Sequence, residues 1–169
     1  MDEIIIREAK HSDACDLSHM INENALHILK PYYTAEQWSA FLKYYSPQSM
    51  EEKIARNTFF CAVIAGRIVG CIGLNSSFLI GFYTRLEWRN KGIGRSLMTH
   101  LINHARKLGL AELQLAAAPG GLAFYNKNGW QKVKDIVTEH HGVGFPETLM
   151  KRPLVATSLN LHRSSTEIS

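Results

Sequence analysis

The chain has 169 residues, 46% of them hydrophobic and 20% charged, and its formal net charge is +4. These proportions are typical of a globular protein with a sizeable core, and no apolar run is long enough to span a membrane. The basic residues are scattered, whereas nucleic-acid binders concentrate them on one face, so we expect neither a nucleic-acid nor a membrane partner. The length favours one domain, which we place at residues 1–154.

The cysteines predict a reducing compartment. Cys15, Cys61 and Cys71 have neither a metal-binding spacing nor the pattern of a disulfide framework. The first residues, Met1-Asp2-Glu3, are acidic, unlike the basic and apolar start of a signal segment. We therefore predict a cytoplasmic protein with reduced cysteines.

The first third of the chain predicts one strand and three helices. Residues 3–8 have the composition of a short strand, and Ser12 is a candidate cap for a helix over residues 13–27. Two capping-box patterns, Thr34-Ala35-Glu36-Gln37 and Ser49-Met50-Glu51-Glu52, predict two shorter helices. Six aromatic residues in this region are expected either to form the wall of a pocket or, more simply, to pack a helical flap onto the core. They are Tyr32, Tyr33, Trp38, Phe41, Tyr44 and Tyr45.

A hairpin is predicted next. Residues 59–64 and 68–74 are rich in β-branched and aromatic side chains and flank a turn that contains glycine. Cys61 and Cys71 are then candidate cross-strand neighbours. Small buried apolar side chains are the commoner role of such cysteines.

The stretch Arg89-Asn90-Lys91-Gly92-Ile93-Gly94 joins a strand predicted over 78–86 to a long helix predicted over 92–108. Two glycines at such a junction let the backbone turn tightly and leave amide N–H groups unpaired. The positive end of the helix dipole adds to these donors, so the junction suits a phosphate or a pyrophosphate.

The last third predicts a strand over 111–117, a short helix with the pair Phe124-Tyr125, and two strands near 131–139 and 147–152 that are joined by a loop over 140–146. The resulting order of elements predicts a mixed sheet with helices on both faces. Beyond Pro153 the sequence loses periodicity and becomes rich in serine and threonine. We therefore predict a flexible tail at residues 155–169.

Two familiar phosphate loops fit the glycine junction poorly. A Walker loop ends in Gly-Lys-Ser/Thr, which is absent from this stretch. A dinucleotide-binding turn needs a third glycine where Leu97 stands, and Glu112 lies at the wrong end of its strand for a ribose-binding acid.

A third pattern fits much better. Arg-x-x-Gly-x-Gly at 89–94 follows a strand and precedes a long helix, and Phe124-Tyr125 lies on the helix after the predicted fifth strand. Together with the segment at 144–151, which contains most of the last predicted strand, these segments resemble the GNAT superfamily of acyl-CoA-dependent N-acetyltransferases over about residues 4–154. The resemblance implies an α/β (α+β) fold, with a mixed, mostly antiparallel central sheet of about seven strands and helices on both faces.

The resemblance also implies acetyl-CoA as the co-substrate, with its pyrophosphate on the amides of the glycine junction. In the family, a bulge in the preceding strand frees backbone that pairs with the pantetheine arm, and the amide near Thr84 would form an oxyanion hole. Tyr125 takes the role of the general acid that protonates the leaving thiolate. The coenzyme-binding residues implied in this way are Phe82, Tyr83, Thr84, Arg89, Asn90, Lys91, Gly92, Ile93, Gly94 and Arg95.

The general base stays open at the level of sequence. Some relatives use a glutamate on the fourth or fifth strand, but the comparable positions here hold Ser76 and Leu113. Ala118 is a further departure, because many members carry an asparagine there that contacts the coenzyme. Water relayed to a backbone carbonyl is one alternative, and the side-chain candidates are Glu23, His27, Glu36, Glu87, His140 and His141.

His100 and His104 are one helical turn apart, a spacing that can bind a metal, but no third ligand is evident in the sequence, so we expect no metal. We predict a direct acetyl transfer from acetyl-CoA to a primary amine, with a small molecule favoured as the acceptor. The alternatives are a protein N-terminus or lysine as the acceptor, or a non-catalytic module that senses acyl-CoA. Family members often pair through the sheet edge or the last strands, so the resemblance also admits a homodimer.

Overall fold

The structure, a computed structural model, describes residues 2–154. The flexible tail predicted for residues 155–169 lies outside the described residues. The strands and α-helices of the described part are β1 (Ile5–Glu8), α1 (Ala14–Ile28), α2 (Ala35–Tyr44), α3 (Pro47–Arg56), β2 (Thr58–Ile64), β3 (Arg67–Asn75), β4 (Phe78–Thr84), α4 (Ile93–Lys107), β5 (Glu112–Ala117), α5 (Leu122–Lys127), β6 (Gln131–His140) and β7 (Val143–Pro153).

The seven strands form one sheet in the order β1-β2-β3-β4-β5-β7-β6. Neighbouring strands are antiparallel except β4 and β5, which are parallel and share one pair of Cα partners, Phe78 and Gln114. The predicted mixed, mostly antiparallel sheet is thereby confirmed. The cross-strand pairing of Cys61 with Cys71 is confirmed as well.

Helices cover both faces of the sheet, as predicted. On one face α4 buries an apolar stripe that includes Leu97 and Leu101, both fully buried. On the other face α1, α2 and α3 pack around Leu17, Ile21 and Phe41. None of the helices in the described residues is both long and apolar enough to cross a membrane.

The helix starts follow the predicted capping rules only in part. The reciprocal capping box at Thr34 is confirmed. The box at Ser49 is wrong: Ser46 is the N-cap, and its Oγ accepts a hydrogen bond from the Ser49 N–H at 3.2 Å. Pro47 explains the earlier start, because its fixed φ suits the first helical position. Ser12 lies within a 3-10 turn that precedes α1 and is not its cap.

The loop predicted over 140–146 is also wrong. β6 and β7 continue to a two-residue turn at His141 and Gly142, whose φ angles of 51° and 76° suit a tight hairpin. Pro146 had indicated a break, yet it lies within β7, opposite Val137. It is tolerated there because the pairing of β7 with β5 begins only at Thr148, so no second ladder needs a proline N–H.

A β-bulge shapes β4. Cys71 pairs with Tyr83 and Gly73 pairs with Ile80, so that Gly81 and Phe82 together lie opposite one residue of β3. Gly81 has a φ of 58°, the left-handed conformation that such bulges favour. The bulge bends β4 away from its parallel neighbour.

Gly81→Ala is expected to lower the free energy of unfolding by about 3 kcal/mol, measured by urea denaturation. The alanine would have to keep a strained φ, and its Cβ would lie 2.8 Å from Cε1 of Phe59. Gly66→Ala is the matched control, because Gly66 has a φ of 77° and no atom within 4 Å of a built Cβ. It should cost only about 1 kcal/mol. Equal losses in the two variants would show that the contact with Phe59 does not constrain the bulge.

Candidate active site

The divergence of β4 and β5 leaves backbone groups of β4 unpaired. The Thr84 carbonyl accepts a hydrogen bond from Asn24 Nδ2 at 2.6 Å, whereas the Arg85 N–H, one residue later, donates to the Val69 carbonyl of β3 at 2.7 Å. Successive residues of a strand direct their polar backbone groups to opposite sides. The N–H of Thr84 therefore points away from β3 and into the cleft beside β4.

A glycine loop lies at the end of this cleft. Asn90 and Gly92 have φ angles of 59° and 84°, which turn the chain sharply into α4. The first helical bond runs from the Ser96 N–H to the Gly92 carbonyl at 3.0 Å. The amides of residues 93–95 lie in the first turn, where a helix supplies no acceptor, so they form a concentrated set of donors.

A cavity of about 890 Å³ extends from the glycine loop along β4. It gathers nearly all of the predicted site residues, and Lys91 is the exception. The Lys91 Nζ lies over the Trp88 ring instead, 4.9 Å from the ring centroid. The predicted residues that line the cavity are Phe82, Tyr83, Thr84, Arg89, Asn90, Gly92, Ile93, Gly94, Arg95 and Tyr125.

Tyr125 reaches the cavity from α5, beside the open end of β4. Its ring meets Phe124 and Trp130 edge-on, with centroids 5.5 and 5.9 Å away, and it also contacts the Phe82 ring. Burial and the negative charge of Glu147 raise the pKa of the Tyr125 phenol above its usual range. The hydroxyl therefore stays protonated around neutral pH, as a proton donor must.

The far end of the cavity is an aromatic wall made of Tyr33, Phe41, Tyr44, His140 and Phe145. The Tyr33 and Phe145 rings meet edge-on at 5.2 Å between centroids, and the Tyr44 and His140 rings are 3.9 Å apart. Tyr33, Phe41 and Tyr44 belong to the aromatic run that was predicted either to pack or to form a wall. They do both.

Glu147 is a cavity residue that the sequence did not single out. It lies on β7 and faces the cavity from the same side of the strand as Phe145. The Thr138 hydroxyl donates a hydrogen bond to its Oε1. Burial raises the pKa of the Glu147 carboxyl, and the Thr138 hydrogen bond partly opposes this rise. The alternation of Phe145 and Glu147 was the available signal, but the wrongly predicted loop hid it.

Of the base candidates taken from the sequence, His140 alone lines this cavity. Burial, together with the charge of Lys53, lowers the pKa of the His140 imidazole. Glu87 pairs with Arg67 at 3.4 Å near the surface. The candidates that lie away from the cavity are Glu23, His27, Glu36, Glu87 and His141.

The family model described as an acetyltransferase (GNAT) domain matches residues 29–151, which is most of the chain. This chain belongs to the GNAT acetyltransferase family. The family implies an acyl-CoA-dependent acetyltransferase. No curated protein sequence matches the chain.

Solved structures with the GNAT fold superpose over nearly the whole described part of this GNAT protein. A GCN5-related N-acetyltransferase from Rhodopseudomonas palustris is 17% identical, with a TM-score of 0.83, covering 90% of this chain and 97% of that one. The PaiA N-acetyltransferase from Thermoplasma acidophilum, in complex with coenzyme A, is 21% identical, with a TM-score of 0.76 and coverage of 89% and 99%. An aminoglycoside 6'-N-acetyltransferase complexed with coenzyme A is 16% identical, with a TM-score of 0.63 and coverage of 89% and 97%.

His100 and His104 of this GNAT protein lie on α4, away from the cleft. Both imidazoles meet the Phe60 ring edge-on, with centroids 4.5 and 5.2 Å away. Within residues 2–154, no three side chains of His, Cys, Asp or Glu are grouped closely enough to hold a metal ion. The pair therefore packs against the sheet.

Proposed function

We propose that this GNAT protein transfers the acetyl group of acetyl-CoA in one direct step to the primary amine of a small molecule. The observation that carries the proposal is the unpaired edge of β4, which lies between the glycine loop and Tyr125. The β4 edge suits a thioester on a long, hydrogen-bonding arm, and the glycine loop suits a pyrophosphate at the far end of that arm. The same cavity offers an aromatic wall for the acceptor.

The donor half of the proposal uses backbone more than side chains. The first-turn amides of α4 would bind the pyrophosphate, and the guanidinium groups of Arg89 and Arg95 would add charge-assisted hydrogen bonds. The backbone of Phe82, Tyr83 and Thr84, which line the cavity, would pair with the pantetheine arm as an added strand does. Lys91 is the weakest of the proposed coenzyme contacts, because it lies over Trp88 and outside the cavity.

The proposed chemistry needs two donors near the thioester. The Thr84 N–H would stabilise the negative oxygen of the tetrahedral intermediate, and the Tyr125 hydroxyl would protonate the thiolate as the C–S bond breaks. A direct attack by the amine is favoured over an acyl-enzyme, because none of the three cysteines lines the cavity. Cys61 and Cys71 are paired across two strands yet are free thiols, which supports a cytosolic location.

A small acceptor is favoured because the acceptor end is walled. The aromatic wall closes it on one side, and the Gln37 Nε2 of α2 donates to the Gly144 carbonyl of β7 at 3.0 Å. This bond ties the helical flap to the β6–β7 hairpin, whose residues His140 and Phe145 belong to the wall. An extended protein tail needs an open groove, whereas a compact amine fits a recess of this kind.

Release of free thiol from acetyl-CoA, measured against a panel of aryl-alkyl monoamines, polyamines, aminoglycosides and peptides, tests the proposal. We expect turnover with small amines that exceeds turnover with peptides by about 100-fold or more in kcat/KM. A peptide as the best acceptor would replace the small-molecule assignment. Tight binding of acetyl-CoA with no turnover across the panel would indicate an acyl-CoA sensor.

A further inference from the structure

Glu147 is a partly buried carboxylate without a cationic partner. The Thr138 hydroxyl satisfies one of its oxygens. None of the ion pairs among residues 2–154 includes Glu147. A buried charge is costly unless a partner compensates it. An unpaired carboxylate inside a ligand-sized cavity is therefore a candidate site for a cationic ligand.

Four tyrosine phenols lie close enough to Glu147 for its charge to affect their pKa values. Burial and, beyond it, the charge of Glu147 raise the pKa of Tyr33, Tyr44, Tyr83 and Tyr125. These phenols come from α2, β4, α5 and, for Tyr33, the segment before α2. The carboxylate therefore lies within electrostatic reach of the proposed general acid and of the aromatic wall at once.

Two basic side chains, Lys53 of α3 and His140 of β6, also lie near this region. Burial lowers the pKa of Lys53 to about 8, and its Nζ donates to the Tyr44 carbonyl at 2.6 Å and to Ser49 Oγ at 2.7 Å. These two bonds hold the ammonium outside the cavity. Burial, together with the charge of Lys53, lowers the pKa of His140, so its imidazole is neutral near pH 7. Neither group neutralises Glu147.

Charge divides the cavity into two ends. Arg89 and Arg95 line it at the glycine loop, and Lys127 lines it from the end of α5. Among the described residues that line the cavity, Glu147 is the only carboxylate. An anion is favoured at the first end, and one positive charge is favoured at the other.

We propose that Glu147 binds the ammonium group of the acceptor and takes the proton that frees its lone pair, and that the acceptor is a monoamine with an apolar or aromatic body. This inference rests on the proposed acetyl transfer and assigns its missing base. The aromatic wall holds the body of the amine, and its ring faces attract the cation on its way to the carboxylate. A polycation such as spermidine or an aminoglycoside would leave its further charges without a carboxylate.

The proposed acetyl transfer forms one C–N bond, breaks one C–S bond and releases one proton overall. The ammonium gives one proton to Glu147, and the nitrogen lone pair attacks the thioester carbonyl carbon. A C–N bond forms, the C–S bond breaks, and Tyr125 protonates the thiolate. The protonated amide nitrogen returns a proton to the Tyr125 phenolate, and Glu147 releases its own proton to solvent. The products are the N-acetyl amine, free coenzyme A and one proton.

Glu147→Gln tests the base directly, because it keeps the shape of the side chain and an acceptor for Thr138. With 2-phenylethylamine at pH 7, we expect kcat/KM to fall about 100-fold or more. Affinity for the amine, measured by calorimetry on the complex with coenzyme A, should fall about 10-fold, and affinity for coenzyme A itself should not change. Glu139→Gln is the matched control, because Glu139 lies on β6 and is exposed. It should retain wild-type values.

The pH dependence gives a signature that a structural role would not produce. In the wild type, kcat/KM should rise as Glu147 loses its proton, at a pH above the ordinary range of a glutamate because burial raises its pKa. It should then stay level until the amine titrates near pH ~10.4. In Glu147→Gln the plateau should vanish, and kcat/KM should climb steadily toward that pH. Glu147→Asp should restore the plateau in part, which separates the missing charge from misfolding.

Each result has a distinct meaning. Wild-type kcat/KM and amine affinity in Glu147→Gln would overturn the role of Glu147 and leave the acetyl transfer intact. A wild-type preference for spermidine or an aminoglycoside over 2-phenylethylamine would overturn the monoamine class. Absence of turnover with every amine, despite binding of acetyl-CoA, would overturn the proposed function and this inference together.

Discussion

Tyr125→Phe is expected to lower kcat by about 100-fold or more, because it removes the hydroxyl that we propose protonates the departing thiolate. Coenzyme affinity should barely change, because the ring keeps its contacts with Phe82, Phe124 and Trp130. Single-turnover release of free thiol measures the chemical step, and calorimetry with acetyl-CoA measures binding.

The control for this experiment is Tyr32→Phe. Tyr32 is 62% exposed and does not line the cavity, so removal of its hydroxyl should leave kcat unchanged. Equal thiol release from Tyr125→Phe and the wild type would remove Tyr125 from the mechanism. A parallel loss of coenzyme affinity would assign it to binding instead.

Gly94→Glu should weaken acetyl-CoA binding by about 100-fold or more, measured by calorimetry. Gly94 lines the cavity in the first turn of α4, where the proposed pyrophosphate site needs open backbone amides. A glutamate side chain adds bulk and a negative charge against a bound anion, and juxtaposed like charges cost several kcal/mol.

Gly94→Ala isolates the charge and the bulk from the loss of glycine itself. A Cβ built at Gly94 lies 3.4 Å from Phe82 Cζ and 3.8 Å from Phe124 Cζ, which is ordinary contact. We expect that variant to bind acetyl-CoA within about 3-fold of the wild type, since the added methyl group makes only ordinary contacts and brings no like charge. Unaltered binding in Gly94→Glu would place the pyrophosphate elsewhere.

Much of the fold is visible in the sequence because it rests on local patterns. The β2–β3 hairpin, the capping box at Thr34 and the glycine junction before α4 each depend on residues that are close in sequence. The error over residues 140–146 arose because distant strand pairing decides whether a local break signal takes effect. Pro146 reads as a break in a strand, yet β7 tolerates it because no strand pairs with its outer side there.

The acceptor end of the cavity was not predictable in the same way. The alternation of Phe145 and Glu147 indicates only a shared face of β7, and the importance of Glu147 comes from residues that the fold brings to it. The flap reaches the last hairpin through Gln37 and Gly144, and β4 is anchored to α1 through Asn24 and Thr84. Contacts between such distant residues depend on the whole sheet, and no window of sequence contains them.

The sequence by itself predicted the proposed donor side of this GNAT protein, because two short patterns, at residues 89–94 and at Phe124-Tyr125, mark a strand-to-helix turn and the helix beside it. Only the tertiary structure decided how far β4 separates from β5 and which carboxylate faces the aromatic wall. The physical reason is that backbone conformation at glycine and at helix starts is encoded locally, whereas the burial of a charge such as Glu147 is a property of the assembled core.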